Sequence, residues 1–118
     1  MSILIVNLTA HQVAVIVDGE VAATFPASGR VARLREEVAT LPPLMTDHGP
    51  VPFAAIRYVK DTEQLPDPQA GTMFLVSRVL AAAVGRPDLV FPSEEVRDAH
   101  GRILGCGSLG RFVGDSSA

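Results

Sequence analysis

The sequence predicts a mainly β domain: a small antiparallel barrel or sandwich of six to eight short strands with one short helix, at about Arg78 to Val84. Three observations lead there. Nine prolines and ten glycines in 118 residues cut the chain into short pieces. The apolar runs between them are rich in β-branched residues, and hairpin signals join several of them. Only Ser77 to Gly85 carries helix formers between recognisable caps.

Taken in order, Ile3 to Val6 is a short β-rich run. VAVIV and EVAATF flank Asp18-Gly19, a pair suited to a type I′ hairpin turn because both central residues need positive φ. Pro26 to Gly29 makes the next turn. Residues 31–41 read two ways. Period 2 puts Val31, Arg33, Arg35 and Glu37 on one face; period 3.6 lines up Val31, Leu34, Val38 and Leu41. The short β-branched neighbours favour a strand and leave a helix open. PPLMTDHGPVP is a loop by composition, and FAAIRYV a strand. KDTEQLPDPQAG is again a loop, since Pro66 and Pro68 forbid helix. TMFLV reads as a buried strand. Ser77 caps the one helix and Gly85 suits its C′ position. After a turn at Arg86 to Asp88, LVF is a short strand, and EVRD and RILGC form a last hairpin around Gly101. The expected organisation is a single globular domain over 1–113 with a frayed tail over 114–118.

One pattern points beyond the single chain. Val13 to Val17 lacks polar alternation, and Val21 to Ala23 has little. A hairpin with one wet face should alternate. These strands therefore call for cover on both faces, from another subunit or from a docked helix. A homo-oligomer is the expectation carried forward.

Composition narrows the partners. A 47% hydrophobic and 19% charged chain is globular rather than disordered. A net charge of −3 argues against nucleic acid, whose binders show a basic stripe. No apolar run approaches the ~20 residues needed to cross a bilayer, so no membrane partner is expected. One cysteine, Cys106, excludes an internal disulfide and fits a reducing, cytoplasmic setting. MSILIVNL lacks the basic start of a secretory signal. All cations but Lys60 are arginine, the type suited to bidentate contacts with phosphate or carboxylate, and also the type that GC-rich coding produces.

GCGSLG, residues 105–110, fits the G-x-G-x-x-G pattern of dinucleotide-binding turns. That turn needs a helix opening from it, a second parallel strand and an acidic residue ~20 positions on. Only RFVGDSSA follows, which excludes the assignment. Glycines at this spacing in an extended segment mark close backbone approach or bulges instead. Exposed N–H groups there could still form an anion nest with Arg102 or Arg111.

Other chemistry is sparse. Cys106 with His100, or His11 as a general base, is the only catalytic pairing in sight; a small buried sulfur is the plainer reading of Cys106. His11, His48, His100 and Cys106 lack metal-ligand spacing, so no metal or other cofactor is expected. Ser77 has no G-x-S-x-G around it. Asn7, Thr9 and His11 alternate and would share one face of a strand as a polar row. The plainer reading is that Asn7 and Thr9 satisfy backbone groups where that strand ends in a turn. Arg97 and Asp98, adjacent in a strand, point to opposite faces.

IVNLTAHQVAV, FPASGRVARL, LPDPQAGTMFLVSRVLAAAV and RPDLVFPSEEVRDAHGRILGCGSLGRF, in that order, resemble a family of small bacterial, notably actinobacterial, and phage proteins. Their first motif reads N-L-T-P-H; Ala10 replaces its proline here. The resemblance implies a shared architecture and brings no established activity. Its recurrent polar positions fall on Asn7, Thr9, His11, Ser28, Arg33, Ser77, Arg97 and Asp98, which become the candidate ligand-binding residues. The functional expectation is non-enzymatic binding of a small anionic, nucleotide-derived molecule by a homo-oligomer. A small enzyme built on Cys106 or His11, or a structural accessory protein, are the alternatives.

Overall fold

Phe74, Leu75 and Val76 expose almost no surface, and the molecule is built outward from them. The structure is a computed structural model that describes residues 2–114, and of residues 60–63 the backbone alone. The elements run β1 (Leu4–Asn7), β2 (Val13–Val17), β3 (Glu20–Phe25), β4 (Arg33–Thr46), β5 (Gly49–Glu63), β6 (Thr72–Leu75), α1 (Arg78–Val84), β7 (Leu89–Arg97) and β8 (Ile103–Gly110). Six strands form one curled half-barrel in the order β1-β6-β7-β8-β2-β3, and β4 pairs with β5 in a separate ribbon. The β-rich class and the single helix over Arg78–Val84 match the sequence reading.

Strand direction follows the expected antiparallel scheme only in part. The β2–β3, β7–β8 and β4–β5 pairs are antiparallel, but β1–β6, β6–β7 and β8–β2 are parallel. The cause is long-range. Parallel neighbours need a crossover connection, and α1 supplies one between β6 and β7. A strand covered on both sides by such connections reads as a continuous apolar run, which is what TMFLV and LVF are. Leu8, Ala32, Phe74, Val76, Leu80, Ala81, Leu89 and Phe91 make the core, with Val6, Leu34, Leu65 and Val84 packed against it.

Local chemistry fixes the ends. Asp18 (φ 52°) and Gly19 (φ 79°) both take positive φ, as the hairpin turn requires. Ser77 Oγ accepts the Leu80 N–H, and Gly85 closes α1 in the left-handed region with its N–H on the Ala81 carbonyl. At seven residues α1 cannot stand alone; Leu80 and Ala81 anchor it in the core.

GCGSLG is strand β8, and its glycines are there for clearance. A Cβ on Gly105 would lie 2.4 Å from the Ala14 carbonyl oxygen. One on Gly107 would lie 2.9 Å from Glu94 Oε2, and one on Gly110 2.9 Å from the Phe91 ring. Cys106, between two of them, is buried with its thiol toward the Ala14 carbonyl, 3.5 Å away.

The largest departure is the ribbon. Residues 42–52, expected as a loop, continue β4 to Thr46 and begin β5 at Gly49; residues 60–63, expected as loop, extend β5. In a two-stranded ribbon both strands are edges, and edges tolerate proline. The same pairing settles residues 33–41 as strand. Nearly every side chain described along the ribbon is exposed. The chain measures 56 × 40 × 37 Å with a radius of gyration of 17.9 Å, against roughly 13–14 Å for a compact chain of this length. The ribbon is an arm projecting from the half-barrel. Among the described residues no helix is long and apolar enough to cross a membrane.

Candidate functional site

The segment between β3 and β4 is stitched to the end of β1. The Ser28 N–H donates to the Asn7 carbonyl and the Ala32 N–H to the Leu8 carbonyl. Asn7 is the centre of this stitching. Its side-chain amide donates to the His11 and Phe25 carbonyls, both at 2.9 Å. Its Oδ1 accepts the Thr9 N–H at 2.9 Å and the Thr9 hydroxyl at 2.7 Å. Asn7 is buried and its hydrogen-bonding capacity is fully committed within the fold. It ties the last residue of β1 to the last residue of β3, the two open edges of the half-barrel. The polar row expected to face a ligand is therefore a capping network. The Thr9 hydroxyl, shared between Asn7 Oδ1 and the His11 carbonyl, has no proton left to give. His11 enters the network through its carbonyl, and its ring is exposed.

Two clefts open on either side of the stitched segment. The larger, about 370 Å³, is walled by Thr9, Ala10, Val31, Arg33, Glu36, Tyr58, Ser77 and Val79 around a floor that includes Leu8. The smaller, about 230 Å³, takes in Ser28, Arg30, Pro66 and Gln69 over Leu8 and Phe74. Of the candidate residues, Thr9, Arg33 and Ser77 thus meet in one cleft and Ser28 borders the next. Arg97 and Asp98 line neither. Arg97 pairs with Glu95 at 2.7 Å and donates to the Gly101 carbonyl. Asp98 accepts the His100 and Arg102 N–H groups and pairs with the Arg102 guanidinium. The Arg102 N–H chiefly holds its carboxyl below the usual carboxylate range. Both residues build the β7–β8 turn.

Arginine pairing separates structural cations from available ones. Arg57 pairs with Glu37, Arg86 with Asp88, Arg97 with Glu95 and Arg102 with Asp98. Arg78 lies over the Phe91 and Phe112 rings, at 5.1 and 5.5 Å from their centroids. Arg30, Arg33 and Arg111 have no ion-pair partner among the described residues; Arg30 lies on the stitched segment and Arg33 three positions on, at the start of β4. Arg30 and Tyr58 were not read from the sequence as site residues. Tyr58 is the only tyrosine, but its place opposite Glu36 depends on the β4–β5 register.

A third cleft, about 700 Å³, lies on the β7–β8–β2 face among Gln12, Arg78, Ser93, Glu94, Glu95, Ile103 and Leu104. Its two glutamates make it a poor seat for an anion. Among the described residues no group of three His, Cys, Asp or Glu side chains is placed to hold a metal ion. The chain matches no protein-family model, no curated protein and no solved structure.

Proposed function

We propose that the protein binds a small anionic molecule of nucleotide type, without transforming it, and works as a homo-oligomer. One observation supports the reading: Arg30 and Arg33, neither with an ion-pair partner among the described residues, lie close together in the chain beside two clefts, one of ligand size. Guanidinium groups take phosphate in a two-pronged, charge-assisted contact. In the larger cleft Arg33 would hold a phosphate. The Ser77 hydroxyl, which accepts the Leu80 N–H, keeps its proton for the ligand. Glu36, on the same wall, suits sugar hydroxyls, which donate to carboxylates. Tyr58 offers an aromatic face on which a base can stack. A volume of about 370 Å³ lies within the range of small-molecule sites, roughly 300–1,000 Å³. In the bacterial or phage setting of the resembling family, such a protein would sequester a signalling nucleotide.

The test is a thermal-shift panel of mono-, di- and cyclic dinucleotides, ADP-ribose and inorganic phosphate. At a hundredfold excess over Kd a ligand adds about 2.7 kcal/mol, a shift of several degrees. The shift should disappear in Arg33→Ala and shrink in Ser77→Ala. A panel that moves nothing sinks the reading. Cys106 bears on the enzymatic alternative: a buried thiol reacts slowly, and rapid labelling of folded protein by a maleimide would revive that alternative.

A further inference from the structure

The arm carries exposed apolar side chains on both of its faces. Residues 38–46 and 49–56 contain no charged side chain. Val38, Met45 and Ile56 are 62%, 77% and 59% exposed, and Leu44, Val51, Phe53 and Tyr58 between 41% and 46%. With ordinary side-chain areas these seven residues expose on the order of 700 Å² in total, divided between the ribbon's two faces, the face with Met45 alone reaching the roughly 300–600 Å² of a monomer's largest apolar patch.

Register shows that this surface has two sides. Directly paired residues share a face. Leu41 and Phe53 are paired, and Val51 follows Phe53 on the same side, with Leu44 opposite it. Val38 and Ile56, then Met45 and Pro50, lie on the other side with Tyr58. A two-stranded hairpin is marginal in water, so each face needs cover. Growth by strand addition is disfavoured, because Pro42, Pro43, Pro50 and Pro52 carry no N–H and interrupt both strands of the ribbon.

We propose that the arm clasps a second copy of this chain. Each ribbon lays one face on the partner's ribbon and the other on the partner's body. Three observations select a second copy. The chain itself carries further exposed apolar residues on adjacent strands β8, β2 and β3, Leu104 and Val17 on one face and Ile103 and Val21 on the other, each about half exposed or more. Two arms each burying on the order of 700 Å² give about 1,400 Å², the size of a standard interface. A two-fold clasp closes on itself and covers both faces of both ribbons at once. The proposal rests on the oligomeric half of the function above and shares with its ligand half only Tyr58, at the base of the arm.

Light scattering behind size exclusion reads the outcome. Wild-type protein should run at an even multiple of the 12.5 kDa chain. Ile56→Glu and Phe53→Glu, one on each face, should each at least halve that mass with an unchanged far-UV spectrum. Amide exchange across 38–56 should be slow in wild-type protein and fast in Ile56→Glu, a comparison that holds even if one variant folds poorly. Wild-type protein that runs as a single chain overturns the proposal, whether or not it binds lipid vesicles or another protein. So does an Ile56→Glu variant of wild-type mass and exchange. Arg33→Ala should keep the mass while losing any nucleotide shift, so failure of the clasp and failure of the ligand site are distinguishable.

Discussion

Asn7 shows how one side chain can hold two edges of a sheet together. Removing its amide leaves the Phe25 carbonyl and the Thr9 N–H without their partner, and the His11 carbonyl with the Thr9 hydroxyl alone. Unmet buried groups cost about 1–3 kcal/mol each before water relieves them. We expect Asn7→Ala to lose about 3 kcal/mol, a fall in Tm on the order of 10 °C. Asn7→Asp should be no rescue, because a carboxylate cannot donate to two carbonyls. A ligand-contacting role alone would leave Tm in place, so a melt of the apo-protein decides. A second residue-scale device is the Arg86–Asp88 pair, two-pronged and mostly buried, with Arg86 also donating to the Pro66 carbonyl. The Arg86 hydrogen bond holds the Asp88 carboxyl below its ordinary range, with burial opposing. A depressed carboxylate stabilises the fold above its unfolded pKa of about 3.9 and loses that contribution as pH falls through the folded value. Wild-type stability should therefore drop on acidification below about pH 4. Asp88→Asn should flatten that slope and lose on the order of 1 kcal/mol at neutral pH. Equal acid slopes in the two proteins would refute the assignment.

At the scale of elements, β8 turns a glycine pattern into a graded test. Gly105 sits against the backbone of β2, which cannot yield without breaking the parallel pair at Val15 and Cys106. Gly110 meets an aromatic ring that can tilt, and Gly107 meets the mobile end of Glu94. We expect Gly105→Ala to cost about 2–3 kcal/mol or abolish folding, Gly110→Ala about 1 kcal/mol, and Gly107→Ala close to nothing. Any other order in urea melts would mean that clearance does not explain the motif. The same strand shows where sequence reading works and where it stops. Turn and cap chemistry is local, so Asp18-Gly19, Ser77, Gly85 and the last hairpin could be read directly. The parallel pairings join residues far apart in the chain, and no local pattern encodes them. Proline misled at Pro42, Pro43, Pro50 and Pro52, because its ban on central strands does not extend to a ribbon made only of edges. The site divides in the same way. Arg33 and Ser77 share a cleft as candidate residues, whereas Arg30 and Tyr58 enter only through how the chain is routed. Asn7, Arg97 and Asp98 turned out to be bound up in the fold.

For the whole molecule, the arm and the half-barrel answer to different forces. Every residue of the core cluster lies outside 38–56. The body should therefore fold without the distal ribbon, while the ribbon depends on what it lies against. Glu37 and Arg57 sit directly opposite each other at the base of the arm. An Asn-Gly pair placed between them in place of residues 38–56 makes a two-residue hairpin of the favoured type. It also keeps Arg33, Glu36 and Tyr58 on the cleft wall. We expect this shortened chain to unfold cooperatively, within about 1 kcal/mol of the per-chain stability left to wild type once subunits separate. By X-ray scattering it should be a monomer with a radius of gyration near the compact value of roughly 13 Å. Failure to fold would mean that the arm supports the half-barrel in some way its contacts do not reveal. A folded, shortened chain that still assembles would place the contact on the body alone.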